Sequence, residues 1–325
     1  MNYLNRKHQV LVLYHYFEKD QSYIDNFSHF LRFGYEPYLN YVIIVAGSYT
    51  VDLPKAPNID YLFTKNENFD YGGYATAIKT LGFNDRYDRY DRYIFVNSSV
   101  RGPFLPAYTK SSWVQILLDM FDPGVGLVGA TISLIPSNHS VAKLYYAKYG
   151  KMAFNEDILS HVQTTCYMLS KDSLRYLVSS GFYDITQSLS KDETVCDYEI
   201  RLSQLLLAQG LDLKCILPEY NKYNYRTLTR DINSCSREGD CGFFNSYFGR
   251  TAHPYESIFI KTSRNTFSDS HLKQLAYSMS IYNPYDQRLG EFELGKEYCL
   301  SCEKSISSAG HQKIKKTFWK KLFSN

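Results

Sequence analysis

Residues 59–82 read IDYLFTKNENFDYGGYATAIKTLG, and this stretch decides the fold. An apolar run over 59–63 passes through polar Asn66-Glu67-Asn68 to Asp70-Tyr71-Gly72-Gly73, then into a helical pattern over 74–81 that Gly82 closes. Strand, polar loop, glycine pair and helix make the unit of a parallel sheet, whose neighbouring strands need a crossover between them. The same signals repeat outward. Val10–Phe17 (VLVLYHYF) and 41–46 (YVIIVA) are short apolar runs, and 93–96 (YIFV) is another. Between the first two, residues 22–33 put Tyr23, Ile24, Phe27, Phe30 and Leu31 at helical spacing before Gly34. Strands that are apolar throughout are covered on both faces. The expected fold is therefore α/β, a mostly parallel Rossmann-like central sheet with helices on both faces.

Further along, 113–120 reads as a helix, 125–134 as a strand, and 161–169 as a strand leading into a helix over 171–178. Residues 198–208 (YEIRLSQLLLA) form an amphipathic helix closed by Gly210, and 213–217 a last strand. Residues 221–248 are polar, Tyr-rich and irregular, which suggests a lid or acceptor loop. The repeat Asp-Arg-Tyr over 85–93 reads as a surface loop.

The chain has 325 residues, with 36 Lys and Arg against 33 Asp and Glu, a net charge of +3. Five of those lysines lie in 311–325, a stretch without an acid, so the rest carries 31 against 33, a body at −2. Such a body lacks the basic face that binds nucleic acid. At 44% hydrophobic and 21% charged the composition is globular. Tyrosine is abundant, 31 beside 20 Phe. Either this is compositional drift, or it lines a cleft with rings and hydroxyls suited to sugars or bases. The seven scattered cysteines favour a reducing compartment. Cys299 and Cys302 with Cys235 and Cys241 are the one conceivable zinc set, on weak spacing. No secretory segment or apolar span is visible, so the expected location is cytoplasmic.

Candidate chemistry falls at strand ends, where ligands bind in open α/β sheets. The glycine pair lets backbone approach a ligand, and a helix start there offers N–H groups to a diphosphate. Asp70 reads either as an acceptor from ribose or base, or as a helix N-cap. After the fourth strand, Asn97-Ser98-Ser99-Val100-Arg101 offers amides, hydroxyls and a cation, a poor set for Mg²⁺ or Mn²⁺. Arg101 reads either as the charge for a leaving diphosphate or as part of a polar turn. Asp197 and Glu199 open the 198–208 helix. They read either as a general base or as ordinary acids of a first turn.

In order and spacing these segments resemble the GT-A fold glycosyltransferases of polysaccharide synthesis, over roughly residues 10–264. Phe69-Asp70-Tyr71-Gly72-Gly73-Tyr74-Ala75 matches the glycine segment opening a helix. Tyr93-Ile94-Phe95-Val96-Asn97-Ser98-Ser99 stands where the donor-site strand ends, and Thr164-Thr165-Cys166-Tyr167-Met168-Leu169 resembles the later strand. Counted back from Gly210, Glu199 stands where that family's catalytic Asp stands. Residues 97–106, His161-Val162-Gln163 and 253–264 are similar to a branch without the usual Asp-x-Asp motif. The resemblance implies an inverting transferase moving a sugar from a nucleotide-sugar donor to a glycan or lipid-linked glycan. Glu199 is its general base, with Asp197 and Arg101 in the catalytic set. No cofactor is required; Mn²⁺ or Mg²⁺ is the alternative. Donor-binding residues would be Tyr14, His15, Asn66, Asp70, Gly72, Gly73, Asn97, Ser98, Ser99, Lys261 and Arg264. His161, Gln163 and His253 would meet the acceptor. One domain would cover 1–265, a nucleotide-sugar half over 1–103 and an acceptor half over 104–265, with an appendage over 266–325. The alternative function is a catalytically inactive nucleotide-sugar or carbohydrate-binding protein on the same fold. Residues 313–323 set Ile314, Phe318, Trp319, Leu322 and Phe323 among lysines, as an interfacial helix does, which suggests peripheral membrane contact.

Overall fold

The computed structural model of the protein describes residues 9–80 and 89–282. Gly82, residues 85–88 of the repeat, Cys299, Cys302 and the tail 313–323 lie outside the described residues. Strand β1 (Val10–Phe17) leads to α1 (Gln21–Phe33), β2 (Asn40–Ala46), β3 (Ile59–Thr64), α2 (Phe69–Thr80) and β4 (Arg92–Asn97). Then come β5 (Val100–Arg101), α3 (Trp113–Leu118), β6 (Val125–Gly129), β7 (Ile132–Pro136) and α4 (Ser140–Tyr149). Next are β8 (Ile158–Val162), β9 (Cys166–Ser170), α5 (Lys171–Ser179) and α6 (Lys191–Thr194). A π-turn (Val195–Ile200) joins α6 to α7 (Arg201–Ala208). The chain closes with β10 (Asp212–Cys215), α8 (Pro254–Ser257), β11 (Ile260–Lys261) and α9 (Asp269–Tyr282).

Seven strands form the central sheet in the order β10-β6-β9-β4-β1-β2-β3. All run parallel except β9, which pairs antiparallel with both β4 and β6. Alternate side chains feed two cores, as the two-residue period of a strand requires. Leu11, Leu13, Val42, Ile44, Tyr93 and Phe95 pack with α2, α5 and α7 on one face. Tyr14, Tyr16, Ile43, Val45, Ile94 and Val96 pack with α1 and α3 on the other. This is the mostly parallel, doubly covered α/β sheet that the apolar strands predict.

Two expected strands divide. The run 125–134 becomes β6 in the central sheet and β7 in a two-stranded ribbon with β8, and 161–169 becomes β8 and β9. All four strands are buried along nearly their whole length, so no change of periodicity marks the breaks. Tyrosine is largely a core residue here: Tyr14, Tyr16, Tyr71, Tyr74, Tyr90, Tyr93, Tyr167, Tyr220, Tyr225 and Tyr247 are all fully buried. Among the described residues no helix is long and apolar enough to cross a membrane.

Because β9 is antiparallel, its first residue, Cys166, lies opposite Val96 at the carboxyl end of β4. The edge that carries the ends of β1, β3 and β4 therefore also receives the β8–β9 connection.

Candidate active site

Asn97, the last residue of β4, is the hub of that edge. Its Nδ2 donates to Asp70 Oδ2 at 2.9 Å and to the Thr164 carbonyl at 3.3 Å. Its Oδ1 accepts from the Ser99 backbone N–H at 3.1 Å and from Ser99 Oγ at 2.5 Å. One amide thus joins α2, β4 and the β8–β9 connection. Ser98 turns inward instead: its Oγ donates to the Phe17 carbonyl at 3.1 Å and accepts from the Phe17 N–H at 3.0 Å. Asp70 is half-buried, and burial raises its pKa against the lowering by the Asn97 hydrogen bond and the Lys261 charge.

Helix α2 starts at Phe69, before the glycine pair, so Asp70 lies in its first turn and not at the cap. The Gly72 N–H donates to the Asn68 carbonyl at 3.1 Å. Gly73 faces the sheet: a Cβ there would lie 2.9 Å from His15 Nε2 and 3.0 Å from Ile44 Cγ2. Gly73 lets the helix lie close on β1 and β2, whereas Gly72 crowds its own loop, where a Cβ would lie 3.0 Å from the Glu67 carbonyl carbon, and its N–H is already used in that turn. Strain gathers just upstream, where Asn68 (φ 60°) and Phe69 (φ 56°) are both left-handed. Asn68 is held there by its side chain, which donates to the Gln187 carbonyl at 3.1 Å and accepts from the Leu189 N–H at 2.8 Å.

The second carboxylate comes from the helix 191–208. Ser190 caps it at Glu193, and the helix widens into the π-turn. Asp197 is buried against α4, where it accepts from Lys148 Nζ at 2.5 Å and the Tyr149 hydroxyl at 2.8 Å. Glu199, two residues on, points the other way and is half-buried. Burial is the main force that pushes its pKa up to about 7. Lys261 and Arg264 pull it down, while Asp70 and Asp240 push it up. A carboxylate poised near neutrality among two cations and two acids is the electrostatic mark of a site.

Lys261 ends β11, which pairs with β5 so that Lys261 stands opposite Val100, and Arg264 follows three residues on. Thr262 then fixes the chain: its N–H donates to the Ser99 carbonyl at 3.3 Å, and its Oγ1 accepts from Asn26 Nδ2 at 3.0 Å. The Lys261 side chain makes no hydrogen bond or ion pair among the described residues, whereas Arg264 pairs with Asp240.

Other expected site residues lie elsewhere or turn away. Tyr14 is in the core against Phe27 and Phe30. Arg101 is buried and structural. Its Nε donates to Asn26 Oδ1 at 2.9 Å, and its Nη atoms meet Asp269 at 2.6 Å and Asp25 at 3.7 Å, tying β5 to α1 and α9. Its charge is already matched. Asn66 is exposed in the loop after β3. His15 lies beneath α2, its ring edge-on to Tyr74 and its pKa lowered to about 4 by burial. His161 on β8 is also buried; desolvation lowers its pKa to about 4, partly opposed by Asp240. Gln163 accepts from Thr131 Oγ1 at 2.6 Å beside Thr164. His253 caps α8, accepting from the Tyr255 N–H at 3.2 Å. The segment 221–248, expected to be a lid or acceptor loop, is knitted around buried Asn233. That amide donates to the Tyr220 hydroxyl and the Ser246 carbonyl, each at 2.9 Å. Sequence reasoning missed Thr164, Asp240 and the helix start. A Ser-x-x-Glu capping box at Ser190–Glu193 signals the last; nothing local signals the first two.

The donors at the end of β4 do not suit a divalent cation. Asn97 donates its amide to Asp70, Ser98 is bonded to β1, and Asp70 alone brings a carboxylate. Among the described residues no group of three or more His, Cys, Asp or Glu is placed to hold a metal.

No protein-family model matches the chain, and neither does any curated protein. Solved structures similar to it include the bifunctional glycosyltransferase WbbM in its apo form, at 15% identity and a TM-score of 0.29, over 56% of this chain and 34% of that one. A glycosyltransferase involved in glycosylation of the major capsid of PBCV-1 matches at 12% and 0.30, over 58% and 76%. The mannosyltransferase Ktr4p from S. cerevisiae matches at 11% and 0.34, over 59% and 62%. The chain thus spans about a third of the first structure. Scores of this size mark partial backbone overlays and say nothing about the reaction.

Proposed function

We propose that the chain is a glycosyltransferase that moves a sugar from a nucleotide-sugar donor to a glycan or lipid-linked glycan hydroxyl, with inversion. One observation carries the reading: Glu199 is a half-buried carboxylate with a pKa near 7, facing Asp70, Lys261 and Arg264 at the carboxyl edge of the sheet. A base of that pKa, desolvated but not locked in an ion pair, accepts a proton efficiently at neutral pH.

In this mechanism Asp70, held by Asn97, accepts from the donor's ribose or base, and Ser99 lies beside them. The diphosphate lies against Lys261 and Arg264, whose fixed positive charges stabilise it as it leaves. Glu199 takes the proton of the acceptor hydroxyl as its oxygen attacks the anomeric carbon. The bond to the diphosphate oxygen breaks, and the configuration inverts. No step runs through a metal, because the donor set described above does not suit one.

Glu199→Gln tests the assignment. Transfer should fall by about 10²–10⁴-fold, the usual weight of a general base, while donor affinity measured by calorimetry stays within a factor of two or so of wild type. Transfer that survives in the variant would remove Glu199 from the mechanism. The companion test is chelation: transfer should be unchanged in excess EDTA, and collapse restored by Mn²⁺ would overturn the metal-free reading. A chain that binds donor without any turnover would be the inactive binding protein instead.

A further inference from the structure

The turn 237–243 contains no regular element, yet it is built around one arginine from another part of the chain. Asp240 and Arg237 form an isolated antiparallel bridge, N–H to carbonyl at 2.9 and 3.1 Å. The turn is docked on β7, where the Leu134 N–H donates to the Gly239 carbonyl at 2.9 Å. Buried Cys241 sits beneath it, its Sγ 3.9 Å from the Ile132 carbonyl. On this base Asp240 is oriented by its neighbour: Oδ1 accepts from the Gly242 N–H at 2.8 Å, which leaves Oδ2 to accept from Arg264 Nη2.

Two further features shape the space for the guanidinium. At Gly242 a Cβ would collide with Arg264 Nη1 and lie 2.9 Å from Cζ, so only glycine lets the group pass across the backbone there. Phe243 offers its ring at 4.8 Å from Arg264 Cζ, with Arg237 on the same ring at 4.7 Å. The Arg264 side chain is 13% exposed. Asp240 takes one Nη, and no other hydrogen bond of this guanidinium is made among the described residues. A planar fork keeps its remaining N–H donors in fixed directions once one edge is held.

We propose that the turn 237–243 is an arginine cradle: Asp240, Gly242 and Phe243 hold the Arg264 guanidinium in one plane beside Glu199, so that its open N–H edge receives the donor's diphosphate. This rests on the transferase reading for the identity of the ligand, but the cradle is defined by this chain's own residues. Asp240, Gly242 and Phe243 are positioning residues that act through Arg264.

The full chain, labelled with ¹⁵N-arginine, tests it with inorganic pyrophosphate and UDP as probes. In wild type the Arg264 Nη resonances should show slow rotation and exchange, and calorimetry should show pyrophosphate binding. Gly242→Ala displaces the guanidinium without removing any charge. It should erase that protection and weaken pyrophosphate about tenfold, with UDP weakened in parallel. Asp240→Asn adds no bulk and keeps the bond from the Gly242 N–H. It should have the same effect in smaller measure, which covers the case of an alanine variant that does not fold. Unprotected Arg264 resonances in wild type, or full pyrophosphate affinity in both variants, would overturn the cradle. Protected resonances without any pyrophosphate binding would overturn its role toward the diphosphate. Cradle-dependent binding of both probes, in a chain that transfers no sugar, would leave the inference standing and remove the transferase reading.

Discussion

The two parts of the molecule that meet at Glu199 are held by different means. From β1 to β4 the chain is a backbone ladder between two apolar layers, with strands parallel and in continuous register. From Tyr220 to Arg264 it is mostly irregular, and side chains fix the backbone: Asn233, Asp240 and Thr262 each hold segments that no ladder reaches. The first part provides a rigid edge with Asn97 and Asp70 on it. The second brings the cations. A site assembled this way has Asp70 on the stiff part and its positive charge on a part that polar bonds maintain.

The most far-reaching effect that would test this contrast is in the ladder. Gly73→Ala puts a methyl into the His15 ring and Ile44, with nowhere to go between helix and sheet. It should cost about 1–3 kcal/mol, as overpacking does, and lower the temperature of the whole unfolding transition. A variant with unchanged melting would mean that α2 rides more loosely on the sheet than described. Asn233→Ala should act differently. It leaves the Ser246 carbonyl and the Phe248 N–H without their partner, at about 1–3 kcal/mol for each group that stays buried. Its signature should be local: faster amide exchange and protease cleavage within 233–250, with exchange in β1 and β2 unaltered. Uniform loosening of both parts would erase the distinction.

The smallest effect lies where the parts meet. The Glu199 pKa of about 7 in the folded chain exceeds its ordinary 4.5, so the folded state holds the proton more tightly than the unfolded state. Wild type therefore loses stability as pH rises from 4.5 through about 7. Glu199→Gln removes that loss, so its melting temperature should exceed wild type at about pH 8 and match it near pH 4. The gain is no more than about 3 kcal/mol, reduced by whatever water reaches the carboxylate. Equal melting at both pH values would show that Glu199 is not desolvated.

The same contrast explains what could be read from the sequence. The strands β1, β2, β3 and β4 and helix α1 are legible to within a residue or two, because apolar periodicity and a capping glycine are local signals. Glu199 is legible as a position through its spacing from Gly210, but its environment is not. That depends on Lys261, Asp70 and Asp240, far away in sequence. Arg101 shows the opposite error: a cation beside a polar strand end suggests a phosphate ligand, yet Asp25 and Asp269, on two different helices, already neutralise it. The glycine pair is legible as a place of close approach, but the partners are the Glu67 backbone at Gly72 and the imidazole of His15 at Gly73.

The π-turn carries one residue more per turn than the helix on either side of it. A cap at Ser190, a buried ion pair at Asp197 and an apolar stripe at Leu202, Leu206 and Leu207 each fix a rotation for this segment. An uninterrupted helix would have to satisfy all three with a single phase. The wider turn separates them, so the direction of Glu199 is set independently of the face that α7 buries. Such an interruption makes the aim of the Glu199 side chain heritable apart from the fold: sliding it by a residue would redirect the carboxylate while leaving the core stripe in place.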